Sequence, residues 1–281
     1  MKTWLITGCS TGLGKSLAKA VLEHGDNVVV TARNLTSVQD LVSAHSETAV
    51  AAALDVTDRI QVAEAVQLAE ERFGGIDVLV NNAGYGYRSA VEEADEADVQ
   101  ALFATNFFGT VAMIKAVLPK MRSRRDGTIV NLSSIAGRQA APGSGYYAAT
   151  KFAVAGMSDA LRLELAPLGI RVMVVEPGAF RTDFAGRSLM QSKIPIDDYA
   201  QTAGRRRKEN DTMHGTQPGD PERAAQVLIN LIDGPELPAR LLLGSDAVAF
   251  VSSVVESQRQ QIEDWRSVSV STDFPKSEPS H

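Results

Sequence analysis

The 281-residue chain is 44% hydrophobic and 22% charged, enough apolar material to bury a core without a metal or disulfide staple. Its 28 basic and 34 acidic side chains leave a net charge of −6, which counts against a nucleic-acid partner held by its phosphates. One cysteine, Cys9, rules out an intrachain disulfide and leads us to expect a cytoplasmic protein; no membrane-spanning apolar run is expected, and Met1 to Gly8 breaks its apolar run too early for a signal peptide.

Along the chain, apolar runs alternate with amphipathic stretches. A short strand is predicted at residues 4–7, then a glycine-rich turn and a helix over 12–24. Val28, Val29 and Val30 suit a strand at 28–31 that is buried on both faces. A weaker helix at 37–46 and a strand at 49–54 follow. Thr57 or Asp58 is placed to cap a helix that Gly74 and Gly75 end. Next come a strand at 77–81, a helix at 96–123 and a strand at 128–132. A helix at 144–166, closed by Pro167 and Gly169, leads to a strand at 171–175 that Pro177 and Gly178 stop. This alternation predicts βαβ units and a doubly wound, mostly parallel α/β sheet of Rossmann type. One domain is expected over residues 1–266. Its pattern weakens at 185–219, which reads as a lid or binding loop, and resumes with a helix at 221–233, a strand at 241–243 and a helix at 248–265. An irregular tail is expected at 267–281, where serines gather around Pro275 and Pro279.

The first turn carries Gly8, Ser10, Gly12, Leu13 and Gly14 between strand and helix. Glycines there let backbone N–H groups approach a pyrophosphate at a helix N-terminus. A triphosphate loop ending in Gly14-Lys15-Ser16 is excluded by count, because its first glycine would have to stand where Cys9 is. The residue about 20 positions on usually bonds a ribose 2′-hydroxyl through a carboxylate. Here that stretch reads Thr31-Ala32-Arg33, with no acid and a guanidinium suited to a 2′-phosphate, so NADP(H) is expected over NAD(H). Tyr147 and Lys151 stand four apart on one helix face, where an ammonium would ease proton exchange by a phenol.

Taken in order, Thr7-Gly8, Gly12, Gly14, Asn81 to Gly84, Asn106, Ser133-Ser134, Tyr147, Lys151 and Pro177-Gly178 resemble the short-chain dehydrogenase/reductase family. The resemblance covers residues 3–183, and within the family it points to the group of 17β-hydroxysteroid and retinol dehydrogenases. It implies that Tyr147 exchanges a proton with the substrate oxygen while Ser134 hydrogen-bonds the carbonyl. Lys151 would bind the nicotinamide ribose and lower the Tyr147 pKa, and Asn106 would hold a water on the proton path. Asn82, Ala83 and Gly84 would meet the adenosine ribose, and Asp55 and Val56 the adenine. Pro177, Gly178 and Thr182 would shape the nicotinamide side. The implied activity is carbonyl–alcohol interconversion on a small molecule by a homo-oligomer, a dimer or tetramer built through the two long helices. The alternative is a non-catalytic NADP(H)-binding regulator, whose mark would be loss of Tyr or Lys.

The four histidines show no ligand spacing, so no metal site is expected. Arg205-Arg206-Arg207-Lys208 is read as a solvated charge run.

Overall fold

A computed structural model describes residues 1–186, 188–208 and 215–274. Among these, seven parallel strands form one sheet in the order β3-β2-β1-β4-β6-β7-β9. The strands are β1 (Thr3–Ile6), β2 (Asn27–Ala32), β3 (Ala49–Ala53), β4 (Val78–Asn81), β6 (Gly127–Leu132), β7 (Ile170–Pro177) and β9 (Arg240–Leu243). Their ends differ from expectation by a residue or two, as frayed ends do. The strand order reverses at β1, which pairs with β2 on one side and β4 on the other. A crevice opens outside the carboxyl ends of the strands at such a switch point.

Alternate residues of β1 and β2 feed two cores. Trp4, Ile6, Val28 and Val30 meet helices α1 (Gly12–His24) and α7 (Pro221–Asp233) on one face. Leu5 and Val29 meet α3 (Arg59–Phe73) and α5 (Thr110–Arg124) on the other. The helices begin where their caps require. Asp58, not Thr57, accepts from the N–H groups of Ile60 and Gln61, and Asp220 serves α7 in the same way. The expected helix at 37–46 is a 3₁₀ turn, Leu35–Val38, followed by α2, Gln39–Ala44.

Three departures bear on function. First, the helix beginning at Glu96 runs to Arg124 but widens into a π segment, Ala104–Gly109, between α4 (Glu96–Phe103) and α5. With a mean hydropathy of 1.6 in its most apolar window, this helix is apolar and long enough to cross a membrane, contrary to expectation. Here it packs on the sheet, with Met113, Val117 and Met121 in the core. Second, the lid holds more regular structure than its weak periodicity suggests. A short strand, β8 (Leu189–Gln191), pairs in parallel with β5 (Gly86–Arg88), and short turns cover Asp197–Tyr199 and Ala200–Gly204. Position 187 and positions 209–214 of the expected lid lie outside the described residues. Third, the last helix, α8, spans Ser245–Val270 and so enters the stretch expected to be irregular. Ile262, Trp265 and Val268 on it are exposed, so no core contact marked its continuation. Residues 275–281 of that tail lie outside the described residues.

Candidate active site

The glycine loop follows β1 directly and is pinned from β4. The Asn82 amide donates to the carbonyls of Thr7 and Gly8 at 2.9 and 3.0 Å, and the Thr7 hydroxyl accepts from the N–H groups of Asn82 and Ala83 at 2.9 Å. Gly12 opens α1 at φ +62°, left-handed backbone that glycine adopts without strain. A Cβ on Gly14 would lie 2.3 Å from the Asn82 amide nitrogen, so this close approach admits only glycine. The helix that starts here has no acid in its first turn and, unlike those capped by Asp58, Asp95 and Asp220, no side-chain cap. Its N–H groups therefore suit an incoming anion such as a pyrophosphate. Ser10 and Leu13 sit half-buried on the same loop.

Arg33 is exposed at the end of β2 and makes no hydrogen bond or ion pair with another described residue, while its charge acts on Asp55 and Tyr85. Burial pushes the Asp55 carboxyl up, but bonds from Thr57 and the charge of Arg33 outweigh it and leave the group below its ordinary value. Val56 stands next to it. Its side chain is buried against Gly109 of the π segment, so only its backbone is left to meet an adenine ring.

Helix α6 (Gly145–Leu165) buries Tyr147 and Lys151 one turn apart. The Lys151 Nζ donates to the Leu132 carbonyl at 2.8 Å and lies 5.8 Å from the centre of the Tyr147 ring. Burial pulls the Lys151 ammonium down to about 8. Burial also pushes the Tyr147 phenol above its ordinary value, opposed by a hydrogen bond with Ser134 and by the charge of Arg88. The Ser134 hydroxyl accepts from the Ala136 N–H at 3.1 Å, which fixes it at the end of β6. Ser133 instead donates to the Lys151 carbonyl at 2.9 Å and steadies the helix. Tyr146, the neighbouring phenol, donates to the Val91 carbonyl away from this cluster.

Asn106 occupies the π segment, where such widenings often serve function. Its side chain is committed: Oδ1 accepts from Tyr85 N–H at 3.0 Å, and Nδ2 donates to the Tyr85 carbonyl and the Thr150 hydroxyl. A water on the proton path would therefore hang on its backbone carbonyl, which also takes the Thr110 hydroxyl at 3.1 Å. Gly84 also comes close, for a Cβ there would stand 3.0 Å from Asn106 Oδ1 and 3.7 Å from Lys151 Nζ.

After β7, Pro177 and Gly178 turn the chain, with the Gly178 N–H donating to the Leu243 carbonyl at 2.9 Å. Thr182 comes back over the glycine loop, its Cβ 3.4 Å from where a Cβ of Gly12 would stand. Asn82 ties the loop to the end of β4, and Gly84 of the same stretch stands near Lys151, so the loop, Thr182 and the Tyr147–Lys151 pair gather outside the carboxyl ends of the strands.

Several residues here carried no readable signal. Phe184 lays its ring 5.8 Å from that of Tyr147. Arg138 and Arg240 clamp Glu176, whose side chain has no exposed surface, and Arg240 also pairs with Asp159. Arg88 brings its guanidinium carbon to 5.9 Å from the Tyr147 ring centre. The charge run of the lid is not simply solvated, because Arg207 is mostly buried against Glu93. Glu93 lies 114 positions away, and only the closed chain brings the two together.

The family model described as short chain dehydrogenase matches residues 2–192. The chain belongs to the short-chain dehydrogenase family. It is 40% identical over 272 residues to Oxidoreductase BOA17 of Botryotinia fuckeliana (strain B05.10), covering 96% of this chain and 99% of the relative. It is 41% identical to human Retinol dehydrogenase 8, covering 85% and 80%, which bears out the resemblance to the retinol dehydrogenase group. A crystal structure of a short-chain dehydrogenase from Streptomyces avermitilis superposes with a TM-score of 0.90 at 40% identity, over 97% of this chain and all of that one. The structure of ElxO with NADP bound superposes at 0.73 with 29% identity, over 89% and 100%. This short-chain dehydrogenase is accordingly an oxidoreductase with a site for a nicotinamide cofactor.

Proposed function

We propose that the protein is an NADP(H)-dependent reductase and dehydrogenase that interconverts a carbonyl and an alcohol, with Tyr147 giving or taking the proton. The observation that carries the reading is a buried phenol one helical turn from the buried Lys151, whose ammonium lies 5.8 Å from its ring centre. A bound nicotinamide would supply or accept the hydride. The glycine loop, Asn82 and Thr182 border the volume it would fill, and Lys151 would face its ribose. Because burial keeps the Tyr147 phenol above its ordinary value, it holds its proton at neutral pH and is ready to donate to a carbonyl oxygen. The Ser134 hydroxyl would orient that oxygen, and Lys151, charged below about 8, would favour the phenolate left behind.

Exposed Arg33, with Thr31 and Ala32 offering no carboxylate, supports NADP(H) over NAD(H), and so does the neighbour solved with NADP. Phe108 at 54%, Phe152 at 46% and Leu163 at 65% exposure give the two long helices an apolar surface, which supports a homo-oligomer formed through them. The test is to follow consumption of NADPH by the purified protein across a panel of ketones and aldehydes. Turnover of at least one carbonyl is expected. Cofactor binding with no turnover across a broad panel would overturn the enzyme in favour of a binding protein.

A further inference from the structure

Arg88 ends the short strand β5, whose pairing with β8 holds it under the lid and beside Tyr147. Its Nε and Nη1 are sealed from solvent and bond to nothing. Arg138, Arg207 and Arg240 by contrast each grip a carboxylate, and Arg162 leaves only its Nε buried and unbonded where Arg88 leaves two donors. Arg88 has no such partner among the described residues. Its approach to the Tyr147 ring, 5.9 Å from guanidinium carbon to ring centre, engages the ring face and leaves the N–H groups unmet. A guanidinium presents its donors in a fixed fork, and leaving them buried and unpaired is unfavourable.

The surroundings sharpen the point. Burial disfavours the Arg88 charge, Tyr147 favours it, and Arg206 of the lid disfavours it. An oxyanion at the fork would satisfy the two buried donors and support the guanidinium charge.

We propose that Arg88 is a recognition site for an oxyanionic group on the substrate, a carboxylate or phosphate a few bonds from the carbonyl that meets Tyr147. The substrate class is then a compact oxo acid or oxo phosphate. This rests on the reading of Tyr147 as the proton donor, and it adds what lies next to the reacting carbon.

The experiment compares kcat/KM with NADPH for matched pairs: 2-oxobutanoate against its methyl ester, and dihydroxyacetone phosphate against dihydroxyacetone. The parent should favour the charged member of one pair by roughly 10- to 100-fold, the worth of a charge-assisted bond. Whichever pair shows the preference identifies carboxylate or phosphate. Arg88→Met should collapse that ratio to unity or below, whatever it does to the neutral ketone, and Arg88→Lys should restore part of it. An independent readout is thermal stability with saturating NADP, which fills the glycine loop and Arg33: millimolar 2-oxobutanoate or phosphate should then raise the midpoint of the parent further and leave Arg88→Met unmoved. Neutral ketones reduced as well as their charged partners by the parent would overturn the anion site and leave the reductase standing. A midpoint shift lost in Arg88→Met, with no carbonyl turned over, would uphold the site while the catalytic reading failed.

Discussion

Arg207 grips Glu93 through bonds of 2.6 and 3.1 Å, and the Glu93 side chain that receives them has no exposed surface. The same carboxylate accepts from the N–H groups of Ala90 and Ile196, while the Ser192 hydroxyl donates to the Glu93 carbonyl. Glu93, five positions beyond β5, thus fastens Ser192, Ile196 and Arg207 of the lid to the stretch that follows β5.

Glu93→Gln should release that fastening. It keeps the shape, removes the charge and leaves Arg207 buried without its anion, a loss that should populate the open lid roughly 10- to 100-fold more. Tryptic cleavage at Arg205 and Lys208, both exposed, should accelerate accordingly while the rest of the chain stays resistant. Bonding by Arg207 pulls the Glu93 carboxyl from 4.5 to about 2. A lowered carboxylate stabilises fully above its unfolded value, so the contact should hold above pH 4.5 and be lost as pH falls toward 2. Exchange at the Ile196 amide, corrected for its intrinsic rate, should follow that window. Equal cleavage of parent and variant would show that the lid is held elsewhere.

The lid also marks where sequence reasoning stops. Strands such as Val28–Val30 announce themselves because a β-branched run has few other uses, and Asp58 and Asp220 read as caps from their neighbours alone. Tyr147, Lys151 and the glycine loop were legible because their chemistry depends on short spacings. Arg88 sits in a three-residue strand, too short for any period, and its importance comes from Tyr147 on another element. The Arg207–Glu93 pair and the Arg138–Glu176–Arg240 cluster join residues far apart in sequence, so their charges looked like ordinary solvated ones. The packing of Val56 against Gly109 was hidden for a related reason, because Gly109 lies in a π segment that no propensity signals.

Tyr147→Phe should lower carbonyl reduction by several hundredfold or more, since positioned proton donation contributes about 10² to 10⁴ in rate. Cofactor binding should survive. Tyr146→Phe is the matched control, because its hydroxyl only meets the Val91 carbonyl. Steady-state rates for both variants on one good substrate decide it, and a Tyr147→Phe enzyme with most of its activity would remove the phenol from the chemistry.

Arg33→Ala should erode the choice between cofactors. A charge-assisted bond to a 2′-phosphate is worth about 1.5–3 kcal/mol, so the parent should prefer NADPH over NADH by roughly 10- to 100-fold in kcat/KM. Arg33 is exposed, which spares its removal any cost to the core. The check is the ratio of the two cofactors with one carbonyl, in parent and variant. A parent indifferent to the cofactor would refute the ribose argument, and a variant with the parental ratio would move the preference to another residue.

Lys151→Met should make the protein more stable at neutral pH even as it damages the site. Burial lowers the Lys151 pKa from 10.5 to about 8, so the charged form is less welcome folded than unfolded. Below about 8 both states carry the proton, and the folded one bears the whole cost of burying it, about 3 kcal/mol. Between about 8 and 10.5 the unfolded chain binds more protons than the folded one, so parental stability should rise with pH across that interval. Methionine is of similar length and uncharged, but it leaves the Leu132 carbonyl without its donor, a loss of about 1 kcal/mol. The variant should therefore gain about 2 kcal/mol at pH 7 by urea unfolding, and the gain should shrink toward pH 10. A variant less stable than the parent at pH 7 would show that the bond to Leu132 outweighs the buried charge.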